Sequence, residues 1–272
     1  MKNIIIADGH MHLGSDPLIL NTGGDLSGFL EKMDSLSIGI AYSSHYCWLL
    51  SRFKDGFEMS LKAYEESEGR IHFLGVYDPG KGKESLRYLE SALKSPGFAG
   101  IKIHPSFHST FADDPSYLPA WDFARKYKKT ILSHTWSLTE NPVQKFSIPR
   151  LFEKNINDYG DVNIILGHAG GRRNGRLQAI DLAASHSNVY LDIAGDIFCP
   201  GLIGKLVEKP GAEKIIFGSD WPWFDPMCYL PRIFLAPISM KQKEMILCGN
   251  AMALFGPHIH PEENNDKISK DR

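Results

Sequence analysis

The stretch "IIIADGHMHLG", residues 4–14, decides how this chain is read. An apolar run passes without a break into two histidines separated by one residue. Side chains alternate along a strand, so His10 and His12 point to the same side. Two imidazoles held side by side at a strand end are nitrogen ligands that call for partners from elsewhere in the chain.

Seven further runs have the same Ile-, Val- and Phe-rich character. With the first, Asn3–Ala7, they are Ile38–Tyr42, Ile71–Val76, Ala99–Ile103, Thr130–Ser133, Val162–Leu166, Val189–Ile193 and Lys214–Phe217. Their starts lie 25 to 35 residues apart, the length of a strand, a helix and two loops. Near-continuous apolar runs suit strands covered on both faces, as in a parallel sheet. Helical stripes fill the intervals: Leu26, Phe29, Leu30, Met33 and Leu36 in one, Leu86, Leu89 and Leu93 in another. "ISMKQKEMILCGNAMALFG" reads as a closing helix that stops at Gly256 before Pro257. Eight such repeats predict a single-domain (β/α)₈ barrel over residues 1–256, followed by a polar tail at 257–272. An open doubly wound sheet is the other architecture the alternation allows, but no Gly-rich phosphate turn follows the first run.

Composition narrows the function classes. The 272 residues are 43% hydrophobic and 23% charged, with a net charge of −2. No long basic stretch offers a nucleic-acid footprint, and no apolar run reaches the ~18 residues of a membrane span. The run Ile4–Ile6 is too brief for the apolar core of a signal peptide. Cys47, Cys199, Cys228 and Cys248 show no paired spacing, so free thiols in a reduced, cytoplasmic protein are expected.

In a barrel the C-terminal strand ends surround one cleft. The first run leads to His10 and His12, the fourth to Lys102 and His104 in "GIKIHP", and the fifth to His134 in "SHTW". The sixth leads to His168 in "LGHAGG" and the eighth to Asp220 in "FGSDWP". Five strands distant in sequence thus aim imidazole, amine or carboxylate groups at one space. That ligand chemistry suits Zn²⁺, Mn²⁺, Fe²⁺ or Ni²⁺ better than Ca²⁺ or Mg²⁺. Asp8 faces the same side as His10 and can buttress it. Trp136, Trp221 and Trp223 follow these strands as candidate apolar walls, and Arg172 and Arg173 follow "HAGG" as possible clamps for a carboxylate. His45 and His108 read as structural histidines near the cleft, His72 and His186 as structural histidines away from it, and His258 and His260 as decoration of the tail.

"DGHMH" (8–12), "GIKIHP" (100–105), "SHTW" (133–136), "LGHAGG" (166–171), "FGSDWP" (217–222) and "GNAMALFG" (249–256) resemble, in order, the motifs of the amidohydrolase superfamily. The "LGHAGG" and "GSDWP" forms point to its amidohydrolase-related family of metal-dependent barrel hydrolases and decarboxylases. The resemblance implies one or two divalent cations, Zn²⁺ foremost, on His10, His12 and Asp220, with His134 as a further ligand. His168 would bind a second cation or stand beside a metal-bound water. Lys102 occupies the place of a carboxylated bridging lysine in two-metal members and stays an ammonium otherwise.

The leading expectation is a hydrolase of a small polar molecule. A metal-bound water attacks an amide, ester or lactone carbonyl, Asp220 moves the proton, and His168 or His104 steadies the oxyanion. Trp221, Arg173 and Trp136 are the expected substrate contacts. A decarboxylase of a small carboxylic acid is the alternative with the same ligands. A small-molecule substrate, neither nucleic acid nor membrane, and a homo-oligomer complete the expected partners, the last because of the aromatic residues in "FHSTF" (107–111).

Overall fold

The computed structural model describes residues 5–14, 24–137, 141–195 and 199–256. The predicted tail and its His258 and His260 lie outside them. Eight parallel strands run in sequence order around one sheet. They are β1 (Ile6–Met11), β2 (Ile38–Ser43), β3 (Ile71–Val76), β4 (Phe98–Ile103), β5 (Thr130–Ser133), β6 (Ile164–Leu166), β7 (Val189–Asp192) and β8 (Ile215–Ile216). The chain beyond β8 brings the ring round to its start. Gly9 N donates to Phe217 O at 2.9 Å, Asp220 N to His10 O at 2.7 Å, and His12 N to Trp221 O at 2.7 Å. The fold is the (β/α)₈ barrel that the run spacing predicts.

The helices form where the stripes place them. Asp25 caps the helix Leu26–Ser35 by accepting from Gly28 N at 2.8 Å, and Phe29 and Met33 are its buried face. Leu89 anchors the helix Gly82–Ala92. Ser239 and Gln242 form a capping box at the start of the closing segment, which runs to Phe255 with one wide turn at Met245–Gly249.

Inside the barrel, Ala7, Ile40, Tyr42, Leu74, Leu132, Ile165 and Ile216 meet Ala251 and Phe255 of the closing helix. Tyr42 Oη donates to Gly256 O and Thr130 Oγ1 to Leu254 O, each at 2.6 Å. That helix therefore plugs the N-terminal end of the barrel, and only the opposite end remains for a site. Among the described residues no helix is long and apolar enough to cross a membrane. All four cysteines are free thiols.

Candidate metal centre

The strand ends deliver the predicted groups to one place. His10, His12, Lys102, His104, His134, His168 and Asp220 all line a cavity of about 210 Å³ at the C-terminal rim. His10, His168 and Asp220 each offer a ligand atom within 4.8 Å of the others. Local backbone makes this possible. Asp220 has φ 64°, and after β6 a left-handed run begins at His168 (φ 59°) and continues through Ala169, Gly170 and Gly171. A Cβ at Gly171 would lie 2.7 Å from the Trp136 ring, so glycine there preserves the cavity wall.

Proton positions follow from acceptors that can only accept. His10 Nδ1 donates to the Asp192 carboxylate at 2.9 Å. Burial alone would raise Asp192, but His10 and His168 outweigh it and hold it at about 2. His10 Nε2 therefore carries the lone pair, and it lies 3.4 Å from Asp220 Oδ1. His12 Nδ1 is 3.3 Å from the Ser44 carbonyl and 2.9 Å from its hydroxyl. His12 Nε2 lies 3.1 Å from the same Asp220 oxygen. Burial keeps both imidazoles neutral, while Asp220 stays far below the ordinary carboxylate range because the histidines outweigh its desolvation. Two imidazoles and one anionic oxygen converge here, within reach of a single ion. The donor set fits a divalent metal, with Asp192 behind His10 as the outer carboxylate such sites use.

Lys102 is fully buried on β4. Its Nζ donates to His10 Nε2 at 2.6 Å, and burial pushes its pKa down to about 8 against the pull of Asp220 and Asp192. Beneath the histidines, Asp8 accepts from His10 N at 3.1 Å and Ser219 N at 3.0 Å. Burial raises its pKa to about 7. It braces the backbone of β1 and of the segment after β8 and does not line the cavity.

His134 and His168 form a second group. His134 Nδ1 and His168 Nε2 are 3.0 Å apart. His104 stacks on His134, ring centres 4.0 Å apart at 8°. Burial, with adjoining histidines and Lys102 adding to it, lowers His104 and His134 well below the usual imidazole value, and burial lowers His168 to about 4 against the pull of Asp220.

Two expected substrate contacts are corrected. Trp221 does not line the cavity. Successive side chains diverge after the left-handed turn at Asp220, so Trp221 packs under Lys32 at 4.7 Å while Trp223 and Phe224 reach the wall. Arg173 is exposed at the start of the helix Arg173–Ser185 and also stays outside the lining. Trp136 is a wall residue as expected. The outlying histidines are structural. His45 caps the helix Tyr46–Leu49, His108 donates to Leu49 O, and His186 bonds Leu182 O and Asn157. Asp192 and Gln144 are site residues that the sequence reading passed over. Asp192 ends β7 and is a carboxylate inside the apolar run Val189–Ile193, which is a usable signal. Gln144 carries no such signal.

A (β/α)₈ barrel with a carboxylate–imidazole cluster at its C-terminal rim is the class this fold and site define. The Amidohydrolase family model matches residues 58–256, and the chain belongs to that family within the amidohydrolase superfamily. Comparison with curated proteins gives no match. Solved structures share the fold at low identity. The 5-carboxyvanillate decarboxylase of Sphingomonas paucimobilis superposes with a TM-score of 0.72 at 13% identity, covering 93% of this chain and 99% of that one. An uncharacterised TIM-barrel protein of Bordetella bronchiseptica gives 0.73 at 17%, covering 92% and 97%. A dihydroxybenzoic acid decarboxylase of a Polaromonas species, solved with bound manganese and the inhibitor 2-nitroresorcinol, gives 0.68 at 17%, covering 92% and 96%.

Proposed function

We propose that this protein is a metal-dependent decarboxylase of a small, flat carboxylic acid. The observation that carries the reading is the cavity. At about 210 Å³ it is smaller than the ~300–1,000 Å³ of drug-sized sites, and it joins the histidine–aspartate cluster to Tyr46, Leu49, Phe107, Trp136, Trp223 and Phe224. Such a lining suits one ring with an anionic end. The decarboxylases among the structural neighbours support this choice over hydrolysis, which the motifs alone put first.

In this reading His10, His12 and Asp220 hold the cation. Bound there, it supplies a Lewis acid that orients and polarises the acid's oxygens. Zinc and manganese both suit the nitrogen and carboxylate donors. The aromatic walls exclude water and fix the ring plane. The bond between the ring carbon and its carboxyl breaks, CO₂ leaves, and the electron pair stays on carbon until a proton replaces it. His168, which lines the cavity with Nε2 3.0 Å from His134 Nδ1, is placed to take up a proton from solvent and pass it to that carbon.

The test is a panel of carboxyl-labelled aromatic and unsaturated acids, with lactones and amides in parallel, on enzyme loaded with Zn²⁺ or Mn²⁺. Labelled CO₂ from an acid is the expected result. Hydrolysis of lactones or amides with no CO₂ from any acid overturns the reading. Metal stoichiometry, read with the intact mass of the Lys102 peptide, distinguishes a single cation from a pair bridged by carboxylated lysine.

A further inference from the structure

Gln144 belongs to the short 3-10 segment Pro142–Ser147, outside the strand ends that carry the histidines. Its Oε1 lies 3.0 Å from His134 Nε2. The same oxygen lies 2.9 Å from Ser106 Oγ and 3.2 Å from Ser147 Oγ, two hydroxyls that also hydrogen-bond each other. An amide oxygen only accepts, so the hydrogen between it and His134 sits on Nε2 of the imidazole. A neutral imidazole carries one hydrogen, which leaves the lone pair on Nδ1. That nitrogen faces His168 Nε2 at 3.0 Å.

The ring is held in this orientation from its face. His104 stacks on it at 8°, and Trp136 lies nearly parallel at 10° with ring centres 6.4 Å apart. His168 is constrained too. Its Nδ1 is buried without a hydrogen-bond partner among the described residues, and a Cβ at Gly195 would come within 2.8 Å of that atom. Whatever stands between the two histidines, a proton or a second cation, is therefore met by Nδ1 of His134.

We propose that Gln144 is a positioning residue that locks His134 in its Nε2–H tautomer and so selects Nδ1 as the nitrogen turned towards His168. Ser106 and Ser147 keep the amide oxygen aimed. The assignment concerns proton placement in the resting site and is independent of which reaction the enzyme runs.

The tautomer is read directly by long-range proton–nitrogen correlation spectra of full-length, chelator-treated protein labelled with ¹⁵N-histidine, with His134→Gln identifying the signals. Wild type is expected to show His134 protonated at Nε2 and unprotonated at Nδ1. Gln144→Met should abolish that preference and give exchange-averaged nitrogens. Gln144→Glu, which retains an accepting oxygen, should restore it. A wild-type His134 protonated at Nδ1 overturns the proposal, and this measurement stands even where a variant fails to fold. A Gln144→Met spectrum in which His134 is unchanged overturns it equally.

Discussion

The two ends of the barrel interior are built on the same strands and obey opposite rules. On β5, Leu132 packs against the plug of the closing helix, while His134, two residues on, lines the cleft. On β6, Ile165 belongs to the same apolar layer and His168 to the site. At the base, complementary apolar volumes are matched, and any lost methylene leaves a void. At the rim, neutral imidazoles crowd an ionised carboxylate and the backbone enters left-handed conformations at His168 and Asp220. The comparison teaches that stability is concentrated in the lower layers, which hold in place a rim that is poorly stable by itself.

The sharpest break of that comparison is Asp220→Asn. It removes the anion on which both His10 and His12 converge. Turnover should fall by at least ~10³-fold and bound metal should be lost, while urea unfolding of the metal-free protein shifts by less than ~1.5 kcal/mol. Retained metal and turnover would show that the cluster is not the site. Leu132→Ala is the mirror experiment. A fully packed leucine reduced to alanine costs about 2–5 kcal/mol, seen as a lower urea midpoint, with metal content per folded molecule unchanged. Metal loss without destabilisation would mean that the two ends are not separable.

Legibility in the sequence divides along the same line. The base was readable because burial on both faces leaves continuous apolar runs. β3 and β5 coincide with their runs, and β4 and β7 differ by one residue. β1 continues beyond its apolar run to Met11 because its later residues, Asp8 and His10, are polar yet buried. Hydrophobicity cannot mark a strand that points inward with charge. The residues at the rim were readable where they followed the end of an apolar run. Gln144 was not, because a loop segment returns it to the site. Nor was the placing of Trp221 outside the lining, since its direction depends on the turn at Asp220, which propensity does not foretell.

A pH titration sharpens the contrast from a histidine away from the cleft. His72 lies within β3, is 3% exposed, and contacts the rings of Tyr42 and Tyr64. Burial lowers its pKa from 6.5 to about 4. The unfolded chain therefore binds a proton here between pH 6.5 and 4 while the folded chain does not. This stability is fully present above pH 6.5 and is lost as pH falls towards 4. The shift corresponds to at most ~3 kcal/mol. His72→Gln should flatten this part of the stability–pH curve measured by urea unfolding of metal-free protein. An unchanged slope would assign the acid sensitivity wholly to the rim histidines.

The smallest effect should come from Arg173, which stands near the rim in sequence and outside it in space. A cationic side chain two residues after "HAGG" reads as a carboxylate clamp only if the chain turns it inward. The chain instead places it on the exposed first turn of the helix Arg173–Ser185, at φ 48°. Arg173→Ala keeps that backbone requirement and removes only a solvated charge. KM for any acid the enzyme consumes should stay within about twofold, and stability within ~0.5 kcal/mol, as for other surface changes. A tenfold rise in KM would show that substrate draws the arginine into the cleft. The rim would then include a moving part, and the contrast between a fixed base and a preformed rim would have to be redrawn.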